Sequence, residues 1–236
     1  MRSNTNMTRC HPLTVVSFSG IDGAGKTTQI QAFTDWLCAA GVRVQLFRFW
    51  DDVVVFSRFR ECLSHKVFKG DQGIGSAEKP LNRRDKNVTS LPVTAFRFFL
   101  YLCDALNLSR KVWQVRKGDA EVMIFDRYLY DELANLPLDG WFTRIFVRLV
   151  LRFVPAPDVA FVLDADPTEA RKRKPEYPLD FIRKNREAYL RLSRLITRVV
   201  VIEALPIPSA ELKVKNAFLQ HVSAPQQFRI PIPSAR

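Results

Sequence analysis

Gly20-Ile21-Asp22-Gly23-Ala24-Gly25-Lys26-Thr27 fits the pattern G-x-x-x-x-G-K-[ST] of a phosphate-binding loop. The apolar run before it, residues 13–19, predicts a buried strand, and residues 28–40 carry apolar side chains at helical spacing. Strand, glycine-rich loop and helix form the context that this motif requires. The context favours a phosphate site over the alternative, a glycine-rich turn that binds nothing.

The residue types in this loop suit the binding of a nucleotide. A loop that wraps a phosphate turns its main-chain N–H groups inward, and glycines permit the backbone angles and the close approach that this needs. The N terminus of the following helix adds free N–H groups and the positive end of its dipole. Lys26 would reach the β- and γ-phosphates, and the Thr27 hydroxyl would ligate Mg²⁺.

Length and composition set the outer limits. The 236 residues suffice for one large α/β domain or two small ones, and the net charge of +12 suits anionic partners such as nucleotides, nucleic acid or an acidic membrane surface. The four cysteines form no C-x-x-C pair, which is typical of reduced thiols in a cytosolic protein, and three scattered histidines predict no zinc site. No uncharged apolar run is long enough to span a membrane, and no signal peptide is recognised, so we expect a cytoplasmic protein.

The order of apolar segments predicts a parallel sheet. Strands are expected to begin near residues 13, 42, 121, 158 and 198, with helices over 54–68, 92–117, 138–154, 176–196 and 209–220. A further helix is expected to start at Asp166-Pro167. This alternation is typical of a sheet covered by helices on both faces. We expect one domain over 13–222, with a mobile loop at 69–90 and a short lid at about 170–180, between a disordered lead (1–12) and a flexible tail (223–236).

Asp126 and Arg127 follow a short apolar strand. At the carboxyl end of such a strand a carboxylate can hold Mg²⁺ through water or orient an acceptor, and an arginine can stabilise charge between two phosphates. A strand-end ion pair would be the simpler explanation for the two residues alone. The phosphate loop upstream favours the catalytic interpretation.

Further basic residues have two explanations each. Arg48, Arg58 or Arg60 could hold an acceptor phosphate or be solvated surface charges. Arg97, within an apolar helix, could meet a substrate phosphate or base, or reach solvent along its own stem. Residues 171–174 are all cationic and follow the fourth strand, where a closing lid could complete a charge clamp on the transferred phosphoryl group.

Arg144, Arg148 and Arg152 recur every four residues and form one basic stripe. A packed helix with one solvated face is favoured over an interfacial helix that touches acidic lipid.

These motifs resemble those of the thymidylate kinase family of P-loop kinases, in the same order over residues 14–220. Residues 18–29 are similar to the family's phosphate loop, and Asp126-Arg127-Tyr128 resembles its D-R-[YF] motif. Pro157-Asp158 to Leu163-Asp164, followed by Asp166-Pro167, resembles the strand before its lid helix.

The resemblance implies a P-loop nucleoside-monophosphate-kinase-like fold of three layers, with a five-stranded parallel sheet in the order 2-3-1-4-5. It implies ATP-dependent phosphorylation of a nucleoside monophosphate, dTMP to dTDP first, with Mg²⁺, and a homodimer formed through apolar helices; no nucleic-acid partner is expected. The implied catalytic residues are Asp22, Lys26, Asp126, Arg127, Arg171 and Arg173. The nucleotide-binding residues are Gly20, Asp22, Gly23, Ala24, Gly25, Lys26, Thr27 and Thr28, with Thr27 on the metal and Asp126 reaching it through water. The substrate-binding residues are Arg48, Arg58, Arg97, Tyr101, Arg127 and Tyr128.

The chain departs from the family's pattern on the acceptor side. Where the family has a phenylalanine that stacks on thymine and an arginine that reads the base, this chain has Tyr101 and Ala105. After D-R-Y, where the family has a small hydroxyl residue, this chain has Leu129-Tyr130-Asp131, and Phe49-Trp50-Asp51-Asp52 replaces E-P-G-G. Two alternatives therefore stay open: a kinase for a different acceptor, such as a nucleoside, sugar or other small alcohol, or a nucleotide-binding regulatory module with little catalysis.

Overall fold

The computed structural model describes residues 13–56, 60, 91–134, 136 and 140–222. The predicted disordered lead, mobile loop and flexible tail lie outside the described residues, as does Arg58.

Five strands form one parallel sheet: β1 (Thr14–Gly20), β2 (Val44–Arg48), β3 (Val122–Asp126), β4 (Val159–Leu163) and β5 (Val199–Ile202). Their order across the sheet is β2-β3-β1-β4-β5, and every neighbouring pair is parallel. All seven residues of β1 are buried, as expected for the central strand of a sheet covered on both faces. The predicted fold class is confirmed.

Seven helices are described: α1 (Lys26–Ala39), α2 (Leu91–Arg116), α3 (Leu129–Leu133), α4 (Trp141–Phe153), α5 (Pro167–Arg173), α6 (Leu179–Ser193) and α7 (Ile207–His221). Six of them correspond to predicted helices, with ends that shift by a few residues. The short α3 was not predicted, since five residues are too few to show a helical period.

The segment after β2 differs from its prediction. A helix was expected from about Val54, but Phe49–Val53 form a single π-helical turn and Val54 is extended. The Asp52 carboxylate accepts a hydrogen bond from the Arg48 main-chain N–H at 2.7 Å, which closes this turn directly on the end of the strand. Of the rest of the predicted helix, Val55 and Phe56 form a turn and Arg60 is helical, and the other residues lie outside the described ones.

Apolar layers fill both faces of the sheet. On one face, Phe33 of α1 packs its ring edge against Phe218 of α7 and Phe18 of β1, at centroid distances of 5.1 and 5.7 Å. On the other face, α2, α3 and α4 cover Phe125, which packs edge-on against Tyr128 at 5.1 Å. Each fully buried side chain of this size contributes about 2–3 kcal/mol by leaving water, so these layers hold the sheet and its loops rigidly.

The outer sides of α2 and α4 expose many large apolar side chains, which we call the apolar face: Phe96, Phe99, Leu102, Leu106, Trp113, Trp141, Phe142, Ile145, Leu149 and Phe153. The predicted basic stripe lies on α4 beside them, with all three arginines exposed while Val147 and Val150 are buried. The solvent side of α4 is therefore both basic and apolar. Among the described helices, none combines the length and apolarity that a membrane span requires.

Candidate active site

The phosphate loop joins the end of β1 to the start of α1. Gly20, Gly23 and Gly25 all have positive φ angles, of 139°, 83° and 86°. A Cβ at Gly23 would lie 2.3 Å from the carbonyl oxygen of Ala170, and one at Gly20 would lie 2.4 Å from that of Leu163. The loop is thus pressed against the end of β4 and the helix that follows it, which only glycine permits.

The loop fits the group that its sequence implies. No side chain caps the N terminus of α1, and its first turn contains no acidic residue, so its main-chain N–H groups suit an anion. Thr27 and Thr28 lie in that turn with exposed side chains. In the described part of the chain no three metal-ligating side chains cluster.

Lys26 is buried against its own loop. Its Nζ donates to the carbonyl oxygens of Gly20 and Ile21, both at 2.9 Å, and lies 3.9 Å from the Asp22 carboxylate. Burial, and secondarily the positive charge of Arg127, lower the pKa of Lys26 to about 8, although nearby carboxylates oppose the shift. A bound phosphate, which carries a full negative charge, would replace the Gly20 and Ile21 carbonyls as the partner of Lys26.

Arg127 lies directly after β3, next to the loop. Its φ of 67° is left-handed, which is uncommon for a residue with a side chain. Its main-chain N–H donates to the carbonyl oxygen of Phe18 at 2.9 Å. Its guanidinium donates to the Asp22 carboxylate through Nη2, and to that of Asp131 through Nη1 at 3.4 Å. Burial alone would lower the pKa of Arg127, but the charge of Asp131, followed by those of other neighbours, raises it, so the group stays cationic.

Asp131 is the functional candidate that the sequence analysis missed. Its Oδ2 accepts hydrogen bonds from the Ser19 hydroxyl at 2.6 Å and the Tyr128 N–H at 2.9 Å. Its Oδ1 accepts from the Tyr189 hydroxyl at 2.6 Å and from Arg127. The side chain is only 3% exposed. The available signal was the carboxylate in Leu129-Tyr130-Asp131, the residues that follow D-R-Y where the family resemblance leads one to expect a small hydroxyl.

Asp126 ends β3 at the carboxyl edge of the sheet, directly before Arg127. It is half-buried, and its register partners are Phe18 of β1 and Arg48 of β2. Its negative charge acts on both Lys26 and Arg127. The structure therefore brings together Asp22, Lys26, Asp126 and Arg127, as the sequence predicted.

Helix α5, which begins the predicted lid, reaches the phosphate loop. Asp166 caps its N terminus by accepting from the N–H groups of Thr168 and Glu169 at 2.9 and 3.1 Å. Arg173, in its last turn, donates to the Gly23 carbonyl at 3.2 Å, whereas Arg171 is half-buried on the same helix. Of the two predicted lid cations, Arg173 is the one with a hydrogen bond to the loop.

The predicted phosphate-binding arginines of the acceptor side have different environments. Arg60 donates through Nη2 to both carboxylate oxygens of the buried Asp104 at 2.8 Å, and to the Leu100 carbonyl at 3.3 Å. Burial raises the pKa of Asp104, and the charge of Arg60 opposes this. Arg60 therefore binds to α2. This position favours neither of the two predicted roles of Arg60, a solvated surface charge or a phosphate ligand. Arg48 is 71% exposed and lies 3.9 Å from Asp51.

Tyr101 and Arg97 lie near each other on α2. Tyr101 is 5% exposed, and its hydroxyl donates to Glu132 of α3. Burial raises the pKa of Tyr101, the Glu132 charge raises it further, and Arg97 opposes both. Glu132, which the sequence analysis also missed, is thus the partner of Tyr101, a predicted substrate-binding residue.

Tyr128 lies in the core instead of the crevice. Its side chain has no exposed surface, its hydroxyl donates to the Pro155 carbonyl, and its ring packs against Phe125 and Tyr130. Its predicted contact with substrate is therefore not supported by its position. The left-handed backbone of Arg127 turns the chain so that the arginine faces the loop and the following tyrosine faces inward.

Comparisons with known proteins agree with this geometry. The chain is 26% identical over 212 residues to a probable thymidylate kinase of Methanosphaera stadtmanae, covering 88% of this chain and 98% of the relative. It is 28% identical over 200 residues to a thymidylate kinase of Tropheryma whipplei, covering 80% and 86%. The crystal structure of a thymidylate kinase from Ehrlichia chaffeensis superposes with a TM-score of 0.54 at 21% identity, over 87% of this chain and 98% of that one, and shows the fold. No family model matches the chain. The curated relatives confirm the resemblance to the thymidylate kinase family.

Proposed function

We propose that this chain, like the thymidylate kinases it resembles, is an ATP-dependent phosphotransferase, and that it converts dTMP to dTDP. The observation that carries the proposal is the meeting of Lys26 in the phosphate loop with Arg127, which is held between Asp22 and Asp131. The curated relatives that carry the thymidylate kinase name support it, since their alignments run over most of both chains.

The residues of the site would act by positioning and charge neutralisation. The loop N–H groups and the α1 dipole would hold the donor phosphates, and Lys26 would exchange its two carbonyl partners for phosphate oxygens. Arg127 would lie between donor and acceptor phosphates, and Arg173, with Arg171, would close the clamp from the lid. Thr27, with Asp126 through water, would hold Mg²⁺, which would neutralise phosphate charge.

The acceptor side rests on fewer contacts. We propose that Tyr101, Arg97 and Glu132 border the acceptor base, since the buried Tyr101 and Glu132 interact and the charge of the half-buried Arg97 acts on Tyr101. Arg48, and Arg58 outside the described residues, stay candidates for the acceptor phosphate. Ala105 is 1% exposed and offers no polar group where the family reads the base, so recognition would depend on these neighbours.

A homodimer through the apolar face is part of the proposal. An exposed apolar surface of this size is typical of a protein–protein interface. Sedimentation velocity at several concentrations is the measurement, and a monomer throughout would contradict it. A second experiment measures binding of the protein to vesicles of acidic lipid. Binding would favour the alternative in which the basic stripe lies on a membrane surface. Location in the cytoplasm stays a prediction.

The function is tested by ADP release from ATP with Mg²⁺ across a panel of nucleoside monophosphates, nucleosides and sugars, with Lys26→Ala as the blank. We expect turnover with dTMP above all other acceptors. Turnover restricted to another acceptor would favour the second candidate, which the missing base-reading arginine at Ala105 motivates. Nucleotide binding without any turnover would favour a regulatory module.

A further inference from the structure

We propose that Asp131 is a positioning residue that, together with Tyr189, couples the helix following the lid to Arg127 in the reaction centre. The inference rests on the proposed phosphotransferase function and extends it to residues that do not touch the phosphates. Asp131, Ser19, Arg127, Tyr128 and Tyr189 are called the Asp131 network below.

The network joins three separate parts of the fold. Ser19 belongs to β1 just before the phosphate loop, and Arg127 and Tyr128 form the turn after β3. Tyr189 belongs to α6, which follows the lid helix α5 after five residues. All three meet at one carboxylate that is 3% exposed. A shift of α6 would therefore move Asp131 through Tyr189 and so displace the turn that holds Arg127.

The chemistry of the network requires a carboxylate. An ionised carboxylate accepts about four hydrogen bonds and donates none, and here four donors converge on its two oxygens. The small hydroxyl that the family resemblance leads one to expect could not accept from so many donors. It would also leave Arg127 without the negative charge on this side of its guanidinium. The substitution therefore changes how Arg127 is held.

Arg127 depends on that support in two ways. Its left-handed backbone is unfavourable for a residue with a Cβ, and the hydrogen bond from the next residue's N–H to Asp131 helps to fix it. Its guanidinium is held by Asp131 through Nη1, while Nη2 points to Asp22 of the phosphate loop. Asp131 thus fixes one end of the guanidinium and leaves the other directed at the loop. A misplacement of about 1 Å in such a group can cost about 100-fold in rate.

Two isosteric variants test the coupling. Asp131→Asn keeps the shape, but the Tyr128 and Arg127 N–H groups can only donate, so one of them must face the new amide NH₂. We expect kcat to fall about 100-fold with the KM for ATP within twofold. Tyr189→Phe removes only the hydroxyl, and we expect kcat to fall about tenfold. The double variant should be no worse than Asp131→Asn, because both act through the same group.

Matched controls separate positioning from general damage. Asp158→Asn removes a carboxylate that accepts the Val15 N–H at the amino-terminal ends of the strands, and Tyr130→Phe alters a buried tyrosine on α3. Both should keep wild-type kcat. If Asp131→Asn does not fold, Tyr189→Phe decides alone. Wild-type kcat in Tyr189→Phe, or losses in Asp131→Asn that are fully matched by lost ATP affinity and thermal stability, would overturn the proposal.

A measurement without turnover keeps this proposal distinct from the proposed function. The Nε–Hε NMR signal of Arg127, assigned with Arg127→Lys, should be a single sharp peak in the wild type and broaden in both network variants. An unchanged peak in both would refute the coupling, whatever the protein phosphorylates. Absence of turnover in the wild type with every acceptor would instead refute the phosphotransferase function.

Discussion

The phosphate loop and the proposed acceptor side of the site are built from different kinds of interaction. On the loop side, backbone geometry dominates: glycines with positive φ, free N–H groups of α1, and a lysine held by main-chain carbonyls. On the acceptor side, side chains pair across the fold, as Arg60 does with Asp104 and Tyr101 with Glu132. A backbone conformation such as the phosphate loop can be recognised from a short motif, whereas the pairing of side chains depends on the tertiary structure.

The largest expected effect tests the loop side. Lys26→Met keeps much of the buried stem but removes the cation, so the donor phosphates would lose a charged partner. We expect kcat/KM to fall about 100- to 1000-fold, as when other preorganised charge stabilisers are removed. Steady-state ADP release is the measurement, with the half-exposed Lys213→Met on α7 as the control. A loss below fivefold would contradict the role of Lys26.

The next effect tests whether the acceptor side is held by structural pairing. Arg60→Met leaves Asp104 buried without its cation, which should lower the free energy of unfolding by about 3 kcal/mol. The KM for the acceptor should stay within twofold, because Arg60 is committed to α2. Denaturant unfolding and initial rates measure the two quantities. Arg43→Met, which breaks a more exposed pair with Glu121, should cost less than about 1 kcal/mol. A large rise in the acceptor KM with little change in stability would make Arg60 a phosphate ligand instead.

A smaller effect concerns the contact between loop and lid. Gly23→Ala would place a Cβ 2.3 Å from the Ala170 carbonyl oxygen and impose an alanine on a left-handed φ. The cost of such a conformation, about 1–2 kcal/mol, should weaken ATP binding about tenfold. Calorimetry of nucleotide binding is the measurement. Gly118→Ala is the control, since Gly118 has no positive φ and its nearest contact would be 3.4 Å. Equal affinities in the two variants would argue against a tight loop.

The smallest effect concerns the start of the lid helix. Hydrogen bonds from the Glu169 and Thr168 N–H groups lower the pKa of Asp166. A carboxylate whose pKa is lower in the folded than in the unfolded state stabilises the fold at pH values above its unfolded-state pKa. This stabilisation is lost as the pH falls through its folded-state pKa. Asp166→Ala should therefore lower the Tm by a few degrees or less at pH 7, and the difference should vanish well below pH 3.8. Thermal melts at both pH values measure it, with Asp35→Ala as a control outside any cap. A difference that persists in acid would show that the cap is not responsible.

Much of the fold could be predicted because each strand of a parallel sheet is an apolar run. Residues 122–125 and 159–163 are buried on both faces and read as uninterrupted apolar segments. The π-helical turn at Phe49–Val53 could not be foreseen, since it depends on a hydrogen bond from Arg48 to Asp52 in the folded chain. The order of the strands came from the family resemblance alone.

The site residues also fall into a predictable and an unpredictable group. Lys26 and Arg127 were predictable because their motifs fix the backbone on which they lie. Asp131 and Glu132 were not, since each is defined by partners far away in sequence, such as Tyr189 and Tyr101. The position of Tyr128 in the core does not support its predicted substrate contact, because a motif gives the order of residues but not the side to which each one turns.

The apolar face also bears on how the purified protein should be handled. A chain of net charge +12 keeps its copies apart by long-range repulsion, while its exposed aromatic and aliphatic side chains attract at contact. Added salt shortens the range of the repulsion and leaves the contact attraction in place. Self-association should therefore strengthen as ionic strength rises, the reverse of the behaviour of a protein bound to nucleic acid or acidic lipid. Dilute buffers of low ionic strength would then favour colloidally stable stocks, and lyotropic salts would promote association or precipitation.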